Sequence, residues 1–120
     1  MSSSQNMKLY IRNQYIPVYW ENNITAPQLK EQVKKGTILV SMTKFGGNEQ
    51  FGPLGRQYAS NDTKMTTNVG DIVLYNGDQI VVFYGSNTWE YTKLGKMNIS
   101  NHQVIALLSQ GNVELKISEE

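Results

Sequence analysis

GDIVLYNGDQIVVFYG (residues 70–85) is the densest apolar stretch of the chain, and Asn76-Gly77 stands at its centre. Asn-Gly between two β-branched runs is the strongest short-range hairpin signal, because a two-residue type I′ turn needs positive φ at both central residues. That turn predicts the pairs Tyr75–Asp78, Leu74–Gln79, Val73–Ile80 and Ile72–Val81. One face would then carry Ile72, Leu74, Gln79, Val81 and Phe83, and the other Val73, Tyr75, Ile80, Val82 and Tyr84. Both faces are largely apolar, so both must be covered, and the hairpin belongs to the centre of the fold. Only its ends, at Gln79, Tyr75 and Tyr84, mix polarity with apolar bodies and qualify as site positions.

Short strands surround it. KLYIRNQYIPVYW (residues 8–20) alternates apolar and polar residues as half-buried strands do, with a turn expected at Asn13-Gln14 and an edge or bulge at Pro17. ITAPQLKEQVKKG reads as a helix: Thr25 as N-cap, Pro27 in the first turn, Gln28 completing a capping box, and Gly36 as the stop. Lys34 and Lys35 complement its C-terminal dipole, which accounts for the lysine cluster without an anion. TILVSMTKF (residues 37–45) is a strand. A long Gly-rich segment follows, holding one short strand at residues 50–54 and otherwise a loop of the length that tends to carry function. TWEYTKLGKM and NVELKIS are further strands, and SNHQVIALLSQG is a helix capped by Ser100 or Asn101 and stopped by Gly111. The expected core includes Leu39, Ile72, Leu74, Val81, Phe83 and Val113. Many short strands and two short helices predict a mainly β fold, a barrel or sandwich.

Composition narrows the chemistry. The chain has 120 residues and a formal net charge of +1, so nothing in its charge calls for nucleic acid or an anionic membrane as a partner. It has no cysteine, which excludes disulfides and thiolate metal sites. His102, the single histidine, falls on the second predicted helix without a carboxylate pair, so neither a metal site nor a triad has its partners. Asp71 and Asp78 occupy turn positions. The glycines of GGNEQFGPLG lack the Lys-Ser/Thr ending of a phosphate loop. No cofactor is expected.

Met42, Asn48-Glu49, Gly70-Asp71-Ile72, Tyr75, Phe83-Tyr84 and Tyr91-Thr92-Lys93-Leu94-Gly95-Lys96, in that order, resemble the pattern of the small bacterial cyclophilin-like domains. The resemblance covers residues 7–118, the expected domain, with residues 1–6 as a flexible N-terminal tail. It implies a closed, mostly antiparallel cyclophilin-like β-barrel with a helix near each end. True cyclophilins are peptidyl-prolyl isomerases whose arginine lies on a Phe-His-Arg strand beside an apolar proline pocket. Here only Arg12 and Arg56 are present, neither in such a motif, and Arg56 sits among glycines. GDQIVV echoes their Gly-x-Gln-apolar run and makes Gln79 a binding residue by resemblance.

Three functions follow as expectations. The first is a non-catalytic module binding a peptide or small ligand in a barrel-side groove. The second is a weak prolyl isomerase, and the third a structural or interaction domain of an exported or lipid-anchored protein. The expected ligand surface joins the long loop, through Phe45 and Phe51, to Gln79, Tyr84, Trp89 and Tyr91, because aromatics on loops give apolar area with a polar tip. MSSSQN carries no apolar run, and no segment of the chain reads as a transmembrane span. A complete chain would be cytoplasmic, and one that has lost a leader extracytoplasmic or lipid-anchored. The sequence leaves the oligomeric state open.

Overall fold

The computed structural model describes residues 7–120; the expected tail, residues 1–6, lies outside them. The strands are β1 (Met7–Ile11), β2 (Gln14–Ile16), β3 (Val18–Trp20), β4 (Ile38–Ser41), β5 (Thr43–Phe45), β6 (Glu49–Pro53), β7 (Thr63–Thr66), β8 (Asp71–Tyr75), β9 (Gln79–Phe83), β10 (Thr88–Met97) and β11 (Glu114–Glu119). The helices are α1 (Ala26–Lys35), between β3 and β4, and α2 (Asn101–Leu108), between β10 and β11. All pairings are antiparallel, in two sheets: β2-β1-β11-β4, and β3-β10-β8-β9-β6-β5 with β7 added on β10.

The expected closed barrel is therefore corrected to two sheets, and the corners show why. Edge strand β2 continues as β3, the edge of the other sheet, through Pro17, which has no N–H for a ladder. Edge strand β4 likewise continues as β5 through Met42, whose N–H bonds Val113 O at 2.9 Å. Covalent corners, and not a continuous hydrogen-bond ring, join the sheets. At the second corner Gly52 lets β6 come close: a Cβ there would lie 2.5 Å from Val40 Cγ1 and 2.8 Å from Ser41 O.

The main core fills the space between the sheets with residues such as Leu9, Ile11, Ile72, Leu74, Ile80, Val82, Leu115 and Ile117, together with Leu29, Val104 and Leu108 from the helices. Leu39 is not part of it. It is 61% exposed, because β4 alternates and only Ile38 and Val40 point inward. Gln50, fully buried, is satisfied by three bonds: its amide donates to Leu108 O (2.7 Å) and Gly111 O (3.0 Å) and accepts from Val113 N (3.1 Å). A polar side chain buried this deep is tolerated because each of its bonds is made, and it pins the end of α2 to β6.

Two local readings change. The first hairpin turns at Arg12-Asn13, not Asn13-Gln14: Ile11 pairs Gln14, and φ is 54° and 65° at the two turn residues. Arg12 is held in that left-handed conformation while its guanidinium donates to Leu107 O and Gln110 O at the end of α2. Thr25 makes no capping bond. Asn23 Oδ1 accepts from Thr25 N (3.1 Å) and Ala26 N (3.3 Å), while Thr25 Oγ1 and Gln28 Oε1 both turn to the Ala59 backbone. On α2 the expected Ser100 cap forms, with Gln103 completing the capping box.

Candidate functional site

The central hairpin forms with a three-residue loop. Tyr75 pairs Gln79, Leu74 pairs Ile80, Val73 pairs Val81 and Ile72 pairs Val82, so Asp78 joins Asn76 and Gly77 in the turn. Asn76 and Gly77 have the positive φ expected, 55° and 74°. Three contacts hold the loop open by that extra residue: Tyr58 N donates to Gly77 O (2.7 Å), Leu54 N to Asp78 O (2.9 Å), and Gln57 Nε2 to Asn76 O (3.0 Å). One added residue flips every side chain of β9 to the other face. Ile80, Val82 and Tyr84 enter the main core, and Gln79, Val81 and Phe83 join Val73 and Tyr75 on the opposite face.

That opposite face builds a second apolar cluster of Val73, Val81, Phe83 and Tyr91, with Phe51 and Met65 packed against it. The first half of β10, residues 88–91, pairs β7, while its continuation pairs β8. Most of the Gly-rich segment was expected to be a loop at the site. Its residues 63–66 instead form β7, and none of residues 54–69 lines the cavity described next. Strand pairing with β10 withdraws that segment from the role assigned to it.

Against the second cluster lies a cavity of about 760 Å³, walled by the β5–β6 hairpin, the β8–β9 loop and the start of β10. It brings together Phe45, Phe51, Gln79, Trp89 and Tyr91, five of the six residues expected at a ligand surface. Tyr84 is not with them. It is buried in the main core on the other face of the sheet, as the shifted register requires. Phe45 and Phe51 meet edge to face at 6.0 Å, and Tyr91 meets Tyr75 at 6.1 Å and Phe83 at 5.7 Å in the same manner. Phe45 and Trp89 are 63% and 57% exposed, the large apolar surface a ligand would cover.

Hydrogen bonds set the rim. Asn87 Nδ2 donates to Tyr91 Oη at 2.7 Å, and Asn87 is itself fixed by Thr67, whose hydroxyl accepts from Asn87 N and donates to Asn87 O. Asn48 O accepts from both Tyr84 N and Gly85 N, and its amide donates to Ser86 O, tying the β5–β6 turn to the end of β9. Gly85 permits that approach, since a Cβ there would stand 2.8 Å from Asn48 Cβ. Burial pushes the Tyr91 phenol up; the Asn87 bond opposes this, and the charge of Glu49 and the Tyr75 phenol add to it. Burial also raises the Glu49 carboxyl above its ordinary range. Glu49, Asn48, Asp78 and Asn87 are lining residues the sequence reading did not single out for the site, and Tyr75, which it did single out, lines the cavity too. Period-2 alternation from Phe51 and Phe45 would have found Glu49, which shares their face.

Neither arginine is in the cavity. Arg12 caps α2, and Arg56 lies exposed with its guanidinium 4.5 Å over the Tyr58 ring. His102 is exposed on α2. Asp71 serves its turn, accepting from Asn68 N at 2.8 Å, with Lys93 and Lys96 at 3.5 and 3.6 Å. No helix among the described residues is long and apolar enough to cross a membrane.

Comparison with known proteins agrees with this fold. No curated protein sequence matches the chain. Among solved structures, that of McbB in complex with tryptophan superposes with a TM-score of 0.67 over 95% of this chain and 44% of McbB. Identity is 10%, so the likeness is one of fold, and this chain spans less than half of McbB's length. Residues 9–118 match the cyclophilin-like family, and the chain belongs to it.

Proposed function

We propose that this protein is a small-ligand binding module whose ligand occupies the cavity on the outer face of the β8–β9 hairpin. The observation that carries this is convergence. Phe45, Phe51, Gln79, Trp89 and Tyr91 come from four strands and meet around one space of about 760 Å³, within the usual range for small-molecule sites. The aromatic rings supply apolar area, while Gln79, Asn48 and Asn87 supply directional amides. McbB, which shares the fold, is known in complex with tryptophan, and that supports a ligand of this size. Isomerisation has less support, because the arginine it would need beside a proline pocket is not among the lining residues.

Trp89 is a built-in reporter, since it lines the cavity while Trp20 is buried with its indole donating to Met7 O. Titration with proline-containing peptides should change the fluorescence of Trp89, and Trp89→Phe should abolish the signal; tryptophan, itself fluorescent, is titrated with chemical-shift detection. Amide chemical shifts should move at Phe45, Phe51, Gln79 and Tyr91, and Arg56→Ala should leave them as they are. Shifts confined to the α2 end of the molecule, or none with any compound, would refute the reading.

A further inference from the structure

The cavity's charge is one-sided. Glu49 and Asp78 line it, and no lysine, arginine or histidine does. The two are at different ends. Glu49 pairs Phe83, while Asp78 precedes Gln79, so they are separated by about five strand residues, roughly 15 Å or a little more. Glu49 is the better placed to meet a ligand. It stands opposite Phe45 on one side and Phe83 on the other, and its charge reaches Tyr91. Among the described residues it has no ion pair and no side-chain hydrogen bond. Asp78 Oδ1 is shut from solvent without a hydrogen bond, which buried carboxylate oxygens seldom are.

A half-buried carboxylate without a cation carries a desolvation cost in the free protein, and an incoming positive charge offsets it. The same cation would lie among the aromatic rings of Phe45, Trp89 and Tyr91, and cation–π attraction favours it over a neutral group. An anionic ligand would meet two carboxylates with no basic side chain to balance them.

Resting on the reading of this cavity as a ligand site, we propose that its ligand is an aromatic amine, bound as the ammonium ion with its nitrogen at Glu49 and its ring among Phe45, Trp89 and Tyr91. Asp78 adds negative potential at the far end. Aromatic acids are excluded, and amino acids bind below the amines that lack their carboxylate.

Four probes on one ring separate the terms: tryptamine (cation), tryptophol (neutral), tryptophan (zwitterion) and indole-3-propionate (anion), each titrated against the full chain with chemical-shift detection. A charge-assisted contact at a half-buried carboxylate should favour tryptamine over tryptophol by about tenfold, with the propionate weakest. Glu49→Gln should reduce the tryptamine preference to about twofold while leaving tryptophol affinity near wild type. Asp78→Asn should lower it less. Equal binding of tryptamine and tryptophol, tighter binding of the propionate, or an unchanged preference in Glu49→Gln would overturn the amine assignment and leave the cavity as a ligand site. Failure of all four probes to move the cavity residues would refute both. Melting curves of the two variants establish that they are folded when binding is read.

Discussion

Gly77 is the residue on which the wall of the cavity turns, and replacing it with valine should be costly because it is buried in the loop. Two costs add. Its φ of 74° lies in the left-handed region, where an L-residue loses about 1–2 kcal/mol and a β-branched one is at the upper end. A Cβ at Gly77 would also run into the Gln57 carboxamide, which must swing away and give up its bond to Asn76 O. An exposed hydrogen bond of that kind contributes about 0.5–1 kcal/mol. The sum is about 2–3 kcal/mol, and in a chain of this length each kcal/mol lowers the melting temperature by about 4 °C, giving a fall of about 8–12 °C. Two controls separate the costs. Gly47 has a φ of 73° with nothing within 4 Å of its Cβ position, so Gly47→Ala should show the dihedral cost alone, about 1 kcal/mol. Gly36 at φ 167° is extended and equally uncrowded, so Gly36→Ala should lie within about 0.5 kcal/mol of wild type. Thermal melts followed by circular dichroism suffice. A Gly77→Val protein that melts with wild type, or a Gly77→Ala that costs no more than Gly47→Ala, would refute the conformation of this loop and with it the register of β9.

Three other outcomes follow from the same geometry. Glu49→Gln should raise the melting temperature at pH 7: desolvation lifts the folded carboxyl above its ordinary 4.5, so the folded state holds the proton more tightly and stability falls as pH rises from there through the folded value. The gain should vanish in melts below pH 4.5, and a lower melting temperature at pH 7 would contradict it. Phe83→Ala should cost about 3–5 kcal/mol in a denaturant titration, because Phe83 is fully buried and backs the Tyr91 ring; less than 1 kcal/mol would mean that the second cluster is loosely packed. Ser100→Ala should lose about 1 kcal/mol, since Gln103 N donates to the Ser100 hydroxyl, which alanine lacks, and Ser100→Thr should recover most of it; an unchanged melt would show that α2 is held by its packing alone.

What the sequence made legible, and what it hid, comes down to how far each signal reaches. Alternation is local, so the strands at residues 88–97 and 114–119 could be read almost to their ends, and the cap of α2 was narrowed to Ser100 or Asn101, of which the structure has Ser100. The turn of the central hairpin was not. Asn76-Gly77 specifies positive φ at two positions, and the structure has it, but the loop length is decided by Tyr58 N, Leu54 N and Gln57, which grip the turn from 19 to 24 residues upstream. Because side chains alternate with a period of two, that one added residue exchanged the β9 sets: it sent Tyr84 into the core and delivered Gln79 and Val81 to the cavity face. Leu39 failed as a core residue for a related reason, since an apolar residue in a short strand does not declare which sheet face is covered. Phe45, Phe51, Trp89 and Tyr91 line one cavity, and β5, β6 and β10, not the hairpin strands, carry them there. Glu49 was hidden in plain sight, between a Gly-rich turn and Phe51, where a carboxylate reads as solvated. It becomes informative only when Phe45 and Phe83 are seen to stand beside it, because a carboxylate among rings has lost its water and gains from a cation in a way that an exposed one does not.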